Sequence, residues 1–255
     1  GGQMASIYDR ADIYDLFEDE NRYEVYKRHW ETVLEGKRIQ TMLDVSIGTG
    51  SVTLPVLDMG IELCGSDLSQ TMLARCAKKA EAKGQTVELK CSDFRDLSCW
   101  QERRFDLVAS TGNALGYVVN EDVMKTLERM DSLTGPGGYL YFDTRNWDKI
   151  LRERNRFYPY NPLFDGENRI NVTQAWDYNN DGSMTFNILY TFERENRIFQ
   201  KEIFEEHYYP VSWEILQNKL REMGYRDIGI KCFPACFEMA EFEQVEWYCV
   251  IARKP

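Results

Sequence analysis

Thr41-Met42-Leu43-Asp44-Val45-Ser46-Ile47-Gly48-Thr49-Gly50-Ser51 is followed, one βαβ spacing later, by an apolar run that ends at Asp67. Met42, Leu43 and Val45 read as a short buried strand. Gly48 and Gly50 then form a turn that glycine enters at little steric cost. Val52 to Met59 carries helical spacing, so the order is strand, glycine loop, helix, strand, acid. Such an order lets backbone approach a nucleoside while a carboxylate accepts hydrogen bonds from its ribose hydroxyls. Position 53 is threonine, so the third glycine of a dinucleotide fingerprint is missing. No lysine follows the turn, which excludes a phosphate-gripping loop. A cofactor with a ribose and no pyrophosphate fits better.

Working outward, the 255 residues suit one α/β domain with an elaboration, although length alone allows two domains. A hydrophobic content of 43% supports a sizeable core. No apolar run approaches the roughly 18–20 residues of a membrane span, and no basic-then-apolar leader opens the chain. The expectation is a soluble, cytoplasmic protein without a membrane partner. A net charge of −11 and a pI near 4.9 argue against nucleic acid as a partner. The seven cysteines are scattered without a Cys-x-x-Cys pair. Cys232 and Cys236 lie four apart with no histidine at ligand spacing, so reduced thiols and no metal are expected.

The Tyr- and Glu-rich segment from Tyr8 to Leu34 predicts one or two helices, giving an N-terminal helical cap over 1–35. Ser69 caps a helix over Gln70–Ala82, Thr86–Lys90 is a third strand and Phe105–Ala109 a fourth. Asn120 caps the next helix, Thr134-Gly135-Pro136-Gly137-Gly138 ends it, and Tyr139–Phe142 is a fifth strand. The alternation predicts a parallel sheet covered on both faces. From Arg169 to Tyr209 the period changes to strand alternation, broken at Asn179-Asn180-Asp181-Gly182 and Glu195-Asn196, which predicts about three antiparallel strands. A helix from Ser212 to Met223 and strands near Ile228–Phe233 and Val245–Ala252 complete the chain. The expected division is a core of 36–150 with 211–255, and an antiparallel insertion at 151–210 forming a lid.

The pattern Leu43-Asp44-x-x-x-Gly48-Thr49-Gly50 resembles the first motif of class I S-adenosylmethionine-dependent methyltransferases. The resemblance implies a Rossmann-like α/β fold with a seven-stranded sheet, S-adenosylmethionine as cofactor and S-adenosylhomocysteine as product. It places Asp44, Ser46, Gly48 and Gly50 around the cofactor, Asp67 and Leu68 at its ribose, and Asp93 and Phe94 at its adenine. Thr111 and Tyr117 join this set. Spacing alone leaves Asp67 open as a second helix cap and Asp93 as a solvated loop acid.

Four further segments resemble the glycine and glycine/sarcosine N-methyltransferases. Thr111-Gly112-Asn113-Ala114-Leu115-Gly116-Tyr117 is similar to that family's Leu-Gly-Asn-Ser-Phe-Ala-His, and Asp143-Thr144-Arg145-Asn146-Trp147-Asp148 to its Asp-His-Arg-Asn-Tyr-Asp. Arg22-Tyr23-Glu24-Val25-Tyr26-Lys27 and His207-Tyr208-Tyr209-Pro210 resemble its Arg-x-x-Glu-Tyr-Lys and Ser-Tyr-Tyr-Pro. The family reading places Arg22 at the cofactor's methionyl carboxylate, and Asn113, Arg145, Tyr190 and Tyr209 at the substrate, with Tyr208 an alternative to Tyr209. Tyr8 and Tyr160 are weaker candidates. A guanidinium fork grips a carboxylate bidentately, which suits Arg145. A surface salt bridge to Asp143 or Asp148 stays open for Arg145, and a turn role for Asn113. Ile47, Tyr117 and Ala114-Leu115 depart from the family pattern, leaving the Tyr117 cofactor contact and the pocket wall open. No acid or base is assigned. The implied activity is N-methylation of glycine and/or sarcosine, a small amino-acid substrate, in a setting such as betaine osmolyte synthesis. An N- or O-methyltransferase of another metabolite, and a cofactor-sensing protein without turnover, stay open. The family's mammalian tetramer does not carry over, so a monomer or small homo-oligomer is expected.

Overall fold

A computed structural model describes Ile7 and residues 10–255; Tyr8 lies outside them. The N-terminal segment folds as helix α1 (Ala11–Tyr14), a 3₁₀ turn at Asp15–Phe17 and helix α2 (Glu20–Val33). Asp19 caps α2 by accepting the Arg22 N–H.

The central sheet is built from β1 (Thr41–Asp44), β2 (Glu62–Asp67), β3 (Glu88–Cys91), β4 (Phe105–Ser110) and β5 (Thr134–Arg145). Helices α3 (Gln70–Ala82) and α4 (Asn120–Leu133) connect them, and α5 (Trp147–Glu153) follows β5. Next come a second sheet of β6 (Phe157–Pro159), β7 (Leu163–Asp165), β8 (Asn168–Tyr178), β9 (Met184–Arg194) and β10 (Arg197–Tyr208), then α6 (Trp213–Glu222), β11 (Arg226–Cys232) and β12 (Trp247–Arg253). The seven-stranded order is β11-β12-β5-β4-β1-β2-β3, with β12 antiparallel to both its neighbours. The order reverses direction between β1 and β4, and ligands of such sheets sit at that switch point, beyond the carboxyl ends of the strands. The expected α/β, Rossmann-like sheet with an antiparallel insertion is therefore the observed fold.

Four local expectations need correcting. Val52–Met59 is no α-helix but a 3₁₀ helix over Leu54–Met59, because Pro55 withholds an N–H and Gly60, at φ 75°, ends the segment after one short run. Asn120 is the first helical residue of α4 rather than its cap; Val119 holds the cap position and the Asn120 Oδ1 is buried without a partner. Thr134 to Gly138 does not stand as a loop, since β5 begins at Thr134. The second sheet has five strands, two of them three residues long and without periodicity to reveal them.

Three apolar clusters hold these layers together. One joins β1, β4 and β5 to α4, α6 and the inner face of the second sheet through Trp147, Trp176, Phe186 and Tyr208. Another packs Trp30 of α2 against Tyr141, Met42 and Leu63. The third joins Ile7 and Ile13 to Ile170, Val172, Ile188, Tyr190 and Phe204, fixing the N-terminal segment to the second sheet.

Candidate active site

A cavity of about 330 Å³ opens beyond the carboxyl ends of β1, β2 and β4. Its floor is the glycine loop. Gly48 has φ 56°, and a Cβ placed there meets nothing within 4 Å, so the missing side chain is part of the cavity's space. The Gly48 N–H donates to Asp67 Oδ2 at 2.9 Å and the Ser69 N–H to Oδ1 at 3.0 Å. Burial raises the Asp67 carboxyl above its ordinary range, and these N–H bonds oppose that rise. A carboxylate offers about four lone-pair sites, so Asp67 keeps acceptor capacity toward the cavity. Leu68, 62% exposed, and the ring of Phe94 supply apolar wall.

Seven of the expected cofactor residues line this cavity: Ser46, Gly48, Asp67, Leu68, Phe94, Thr111 and Tyr117. The other four do not. Asp44 is fully buried behind the loop, where it accepts from the Ser46 N–H, the Thr53 hydroxyl and the Thr111 hydroxyl at 3.1, 3.1 and 2.6 Å. Burial pushes its carboxyl up to about 6 despite these bonds. It therefore ties the loops after β1 and β4 together. Gly50 turns away from the cavity, against Leu54 and Cys76. Asp93 pairs with Arg95 at 2.7 Å, which holds its carboxyl below the usual range. Arg22 is exposed on α2, its Nε donating to the Tyr26 hydroxyl at 3.1 Å.

Among the described residues lining the cavity, none of the four expected substrate residues appears. Asn113 is buried in the left-handed region at φ 59°, and its Oδ1 accepts from the Arg145 N–H and the Thr144 hydroxyl at 3.0 and 3.2 Å. It braces the ends of β4 and β5. Tyr190 sits in the cluster beneath the N-terminal segment. Tyr209 donates its N–H to the Gly116 carbonyl at 2.7 Å and packs its ring on His207. Strand parity turns Tyr208, not Tyr209, inward: its hydroxyl lies 2.8 Å from that of Tyr117. Arg145 occupies a neighbouring aromatic chamber, its guanidinium 4.9 Å from the Trp247 ring, 5.3 Å from Phe186 and 5.9 Å from Trp176. Its Nε is buried without a hydrogen-bond partner. The Tyr208 ring stands 4.7 Å from both Tyr117, which lines the cavity, and Phe186 of the chamber, so Tyr208 and Tyr117 together separate the two. Tyr160, exposed at 38%, reaches the Arg145 head from outside.

Behind both lies a buried polar chain. The Ala235 N–H donates to His29 Nδ1 at 2.8 Å, His29 Nε2 meets the Tyr141 hydroxyl at 2.9 Å, and that hydroxyl donates to Asp143 Oδ2 at 3.2 Å. Since Nδ1 accepts, Nε2 carries the proton. Asp143 Oδ1 accepts the N–H groups of Gly112 and Asn113 and the Trp247 indole N–H. Burial pushes Asp143 up to about 7 and His29 down to about 3, so the histidine is neutral.

Sequence reasoning missed Tyr14 and Glu206, both in the cavity wall. The signal for Glu206 was available: it shares strand parity with Phe204 and Tyr208, and all three are buried. Tyr14 carried none, because its place depends on α1 folding back over the glycine loop. Among the described residues no cluster of His, Cys, Asp and Glu is arranged to hold a metal, and no helix is long and apolar enough to cross a membrane.

Residues 42–138 match a family model described as a methyltransferase domain. The chain is 27% identical over 220 residues to the glycine/sarcosine/dimethylglycine N-methyltransferase of Actinopolyspora halophila, covering 84% of this chain and 36% of that protein. It is 28% identical over 192 residues to the glycine/sarcosine N-methyltransferase of Aphanothece halophytica, covering 73% of this chain and 66% of that one. The match thus spans about a third of the first relative and just under two thirds of the second. In fold, it superposes on the CcbJ methyltransferase of Streptomyces caelestis with a TM-score of 0.76 at 18% identity, covering 98% and 96% of the two chains. Residues 42–138 therefore resemble a methyltransferase domain, and the chain shares its Rossmann-like, seven-stranded fold with that neighbour.

Proposed function

We infer that this chain is an S-adenosylmethionine-dependent N-methyltransferase acting on glycine, sarcosine or a similarly small amino acid. The cavity suits the cofactor: the empty Cβ site at Gly48 leaves room for a ligand against backbone, and Asp67 has acceptor capacity for ribose hydroxyls. Asp67 and Leu68 would hold the ribose, Phe94 the base, and Ser46, Thr111 and Tyr117 the remainder of the wall. S-adenosylmethionine, when bound, supplies a methyl group activated on a sulfonium centre.

The observation that carries the acceptor reading is Arg145. Its guanidinium, with an unpartnered buried Nε in an aromatic chamber, is separated from the cavity by Tyr208 and by Tyr117, which lines it. A carboxylate gripped there would place an α-amine near Tyr208 and Tyr117. The surrounding rings exclude water, and positioning of this kind is worth on the order of 7–11 kcal/mol. The amine must arrive neutral, so turnover should rise in alkaline buffer as the α-ammonium deprotonates. The relatives from Actinopolyspora and Aphanothece support the same acceptor class.

Asn113 favours a second reading, an N- or O-methyltransferase of another metabolite, because its side-chain oxygen is already committed to the strand ends. Parallel assays with S-adenosylmethionine and glycine, sarcosine or dimethylglycine, read by mass, separate the two. Product from glycine or sarcosine that falls at least a hundredfold in Arg145→Ala is expected. Cofactor binding with no product from any of the three would leave the second reading.

A further inference from the structure

The outer strand of the second sheet carries a surface that the site does not use. β10 runs for 12 residues without a proline and, among the described residues, pairs only with β9, forming one edge of the sheet. Its parity divides it sharply. From Lys201 on, Phe204, Glu206 and Tyr208 point inward and are buried, while Lys201, Ile203, Glu205 and His207 are exposed. Ile203 is 46% exposed, and Leu189, opposite it on β9, is 37% exposed. A long exposed edge with apolar side chains is a template for pairing unless something blunts it. The one irregularity of β10 lies at its start, between Ile198 and Gln200.

Charge selects the partner. Lys201 and Glu205 flank Ile203 symmetrically, two residues to either side. Antiparallel pairing about a two-fold axis normal to the sheet keeps each face with itself, so only residues of equal parity oppose each other. Centred on Ile203, that pairing sets Lys201 against Glu205 of the second copy, twice by symmetry, and Ile203 against its counterpart. A shift by two residues in either direction sets Ile203 against a charged side chain and loses both ion pairs. Directly opposed unlike charges and apolar pairs stabilise an antiparallel ladder, and like charges oppose it.

We propose that β10 is a self-complementary docking edge through which two copies of this chain pair, joining their five-stranded sheets in the register centred on Ile203. The strand that pairs is the one that carries Glu206 to the cavity and Tyr208 behind Tyr117 of its wall, so association also orders part of the site. The inference does not depend on the acceptor.

Sedimentation velocity over roughly 1–100 μM tests it, a span in which an interface of modest size is populated. A particle of twice the 30.0 kDa chain mass is expected. Lys201→Glu and Glu205→Lys should each raise the dissociation constant at least about tenfold, by setting like charges opposite one another, and the double exchange should restore it to within about threefold. Ile203→Lys, at an exposed position, should also give monomer with an unchanged circular dichroism spectrum. A wild-type protein monomeric throughout, a dimer indifferent to both single exchanges, or a double exchange that fails to restore association would each overturn the proposal.

Discussion

Gly48 and Gly50 sit two residues apart, both at positive φ, yet they answer to different constraints. At Gly50 a Cβ would fall 2.7 Å from Leu54 Cγ and 2.8 Å from Cys76 Sγ, whereas at Gly48 it would enter open cavity. Gly48→Ala should therefore carry only the left-handed strain, about 1–2 kcal/mol, and weaken cofactor binding by occupying the cradle. Gly50→Ala adds overpacking of about 1–3 kcal/mol and should be clearly the less stable in urea titration. Equal midpoints for the two variants would refute the packing argument. Asp143 gives a pH test. Its carboxyl rises from an ordinary 3.8 to about 7 in the fold, chiefly through burial. Between those values the native state holds a proton that the unfolded chain has released, so this group's contribution to stability falls as pH rises through that window. Asp143→Asn removes the slope. The wild type's unfolding free energy, minus the variant's, should drop by up to about 1.4 kcal/mol per pH unit from pH 4 to 7 and be flat above. A pH-independent difference would show that Asp143 is ionised throughout. That Gly48 and Asp67 stand together at the cavity floor was legible because their placement rests on neighbours in the chain. Asp44 was misread as a cofactor contact because its partners Thr53 and Thr111 become visible only when β1 and β4 are side by side.

Elements were legible in proportion to their periodicity. Helix α3 falls on Gln70–Ala82 as its Ser69 cap and closing Gly84 dictate, and the hairpins of β8, β9 and β10 follow from Asn179–Gly182 and Glu195-Asn196. What escaped was the way short segments without a period are used. Residues 10–17 are such a segment, and their contacts bridge the two sheets. Asp15 accepts the Thr49 hydroxyl at 2.8 Å and pairs with Arg75 at 3.1 Å and Lys79 at 3.6 Å, tying the segment to the glycine loop and α3. On the other side the Ile7 N–H donates to Glu206 Oε1 at 3.1 Å, and Ile13 packs against β8 and β9. Tyr14, between these anchors, lines the cavity. Asp15→Ala should release one anchor, leaving Lys79 and the Thr49 hydroxyl without their buried acceptor at a loss of about 1–3 kcal/mol. Cofactor dissociation, followed by stopped flow, should accelerate at least about tenfold because the strap opens more often. An unchanged dissociation rate in a destabilised variant would confine Asp15 to a structural role.

At the scale of the molecule, the cavity lies where the glycine loop, the N-terminal segment and the second sheet converge, so a ligand there touches all three. Binding to the folded state alone adds about 2.7 kcal/mol at a hundred times the dissociation constant. For a chain of this size each kcal/mol raises the melting temperature by about 2–4 °C, so S-adenosylmethionine at that excess should raise it by roughly 5–10 °C. The cavity and the Arg145 chamber predict opposite variants. Asp67→Ala should abolish the shift, since it removes the acceptor that Gly48 and Ser69 hold at the cavity floor. Arg145→Ala should keep the cofactor's shift and lose turnover. If instead Arg145→Ala abolishes the thermal shift, the arginine supports the cavity itself, and the chamber behind Tyr208 loses its claim to the acceptor.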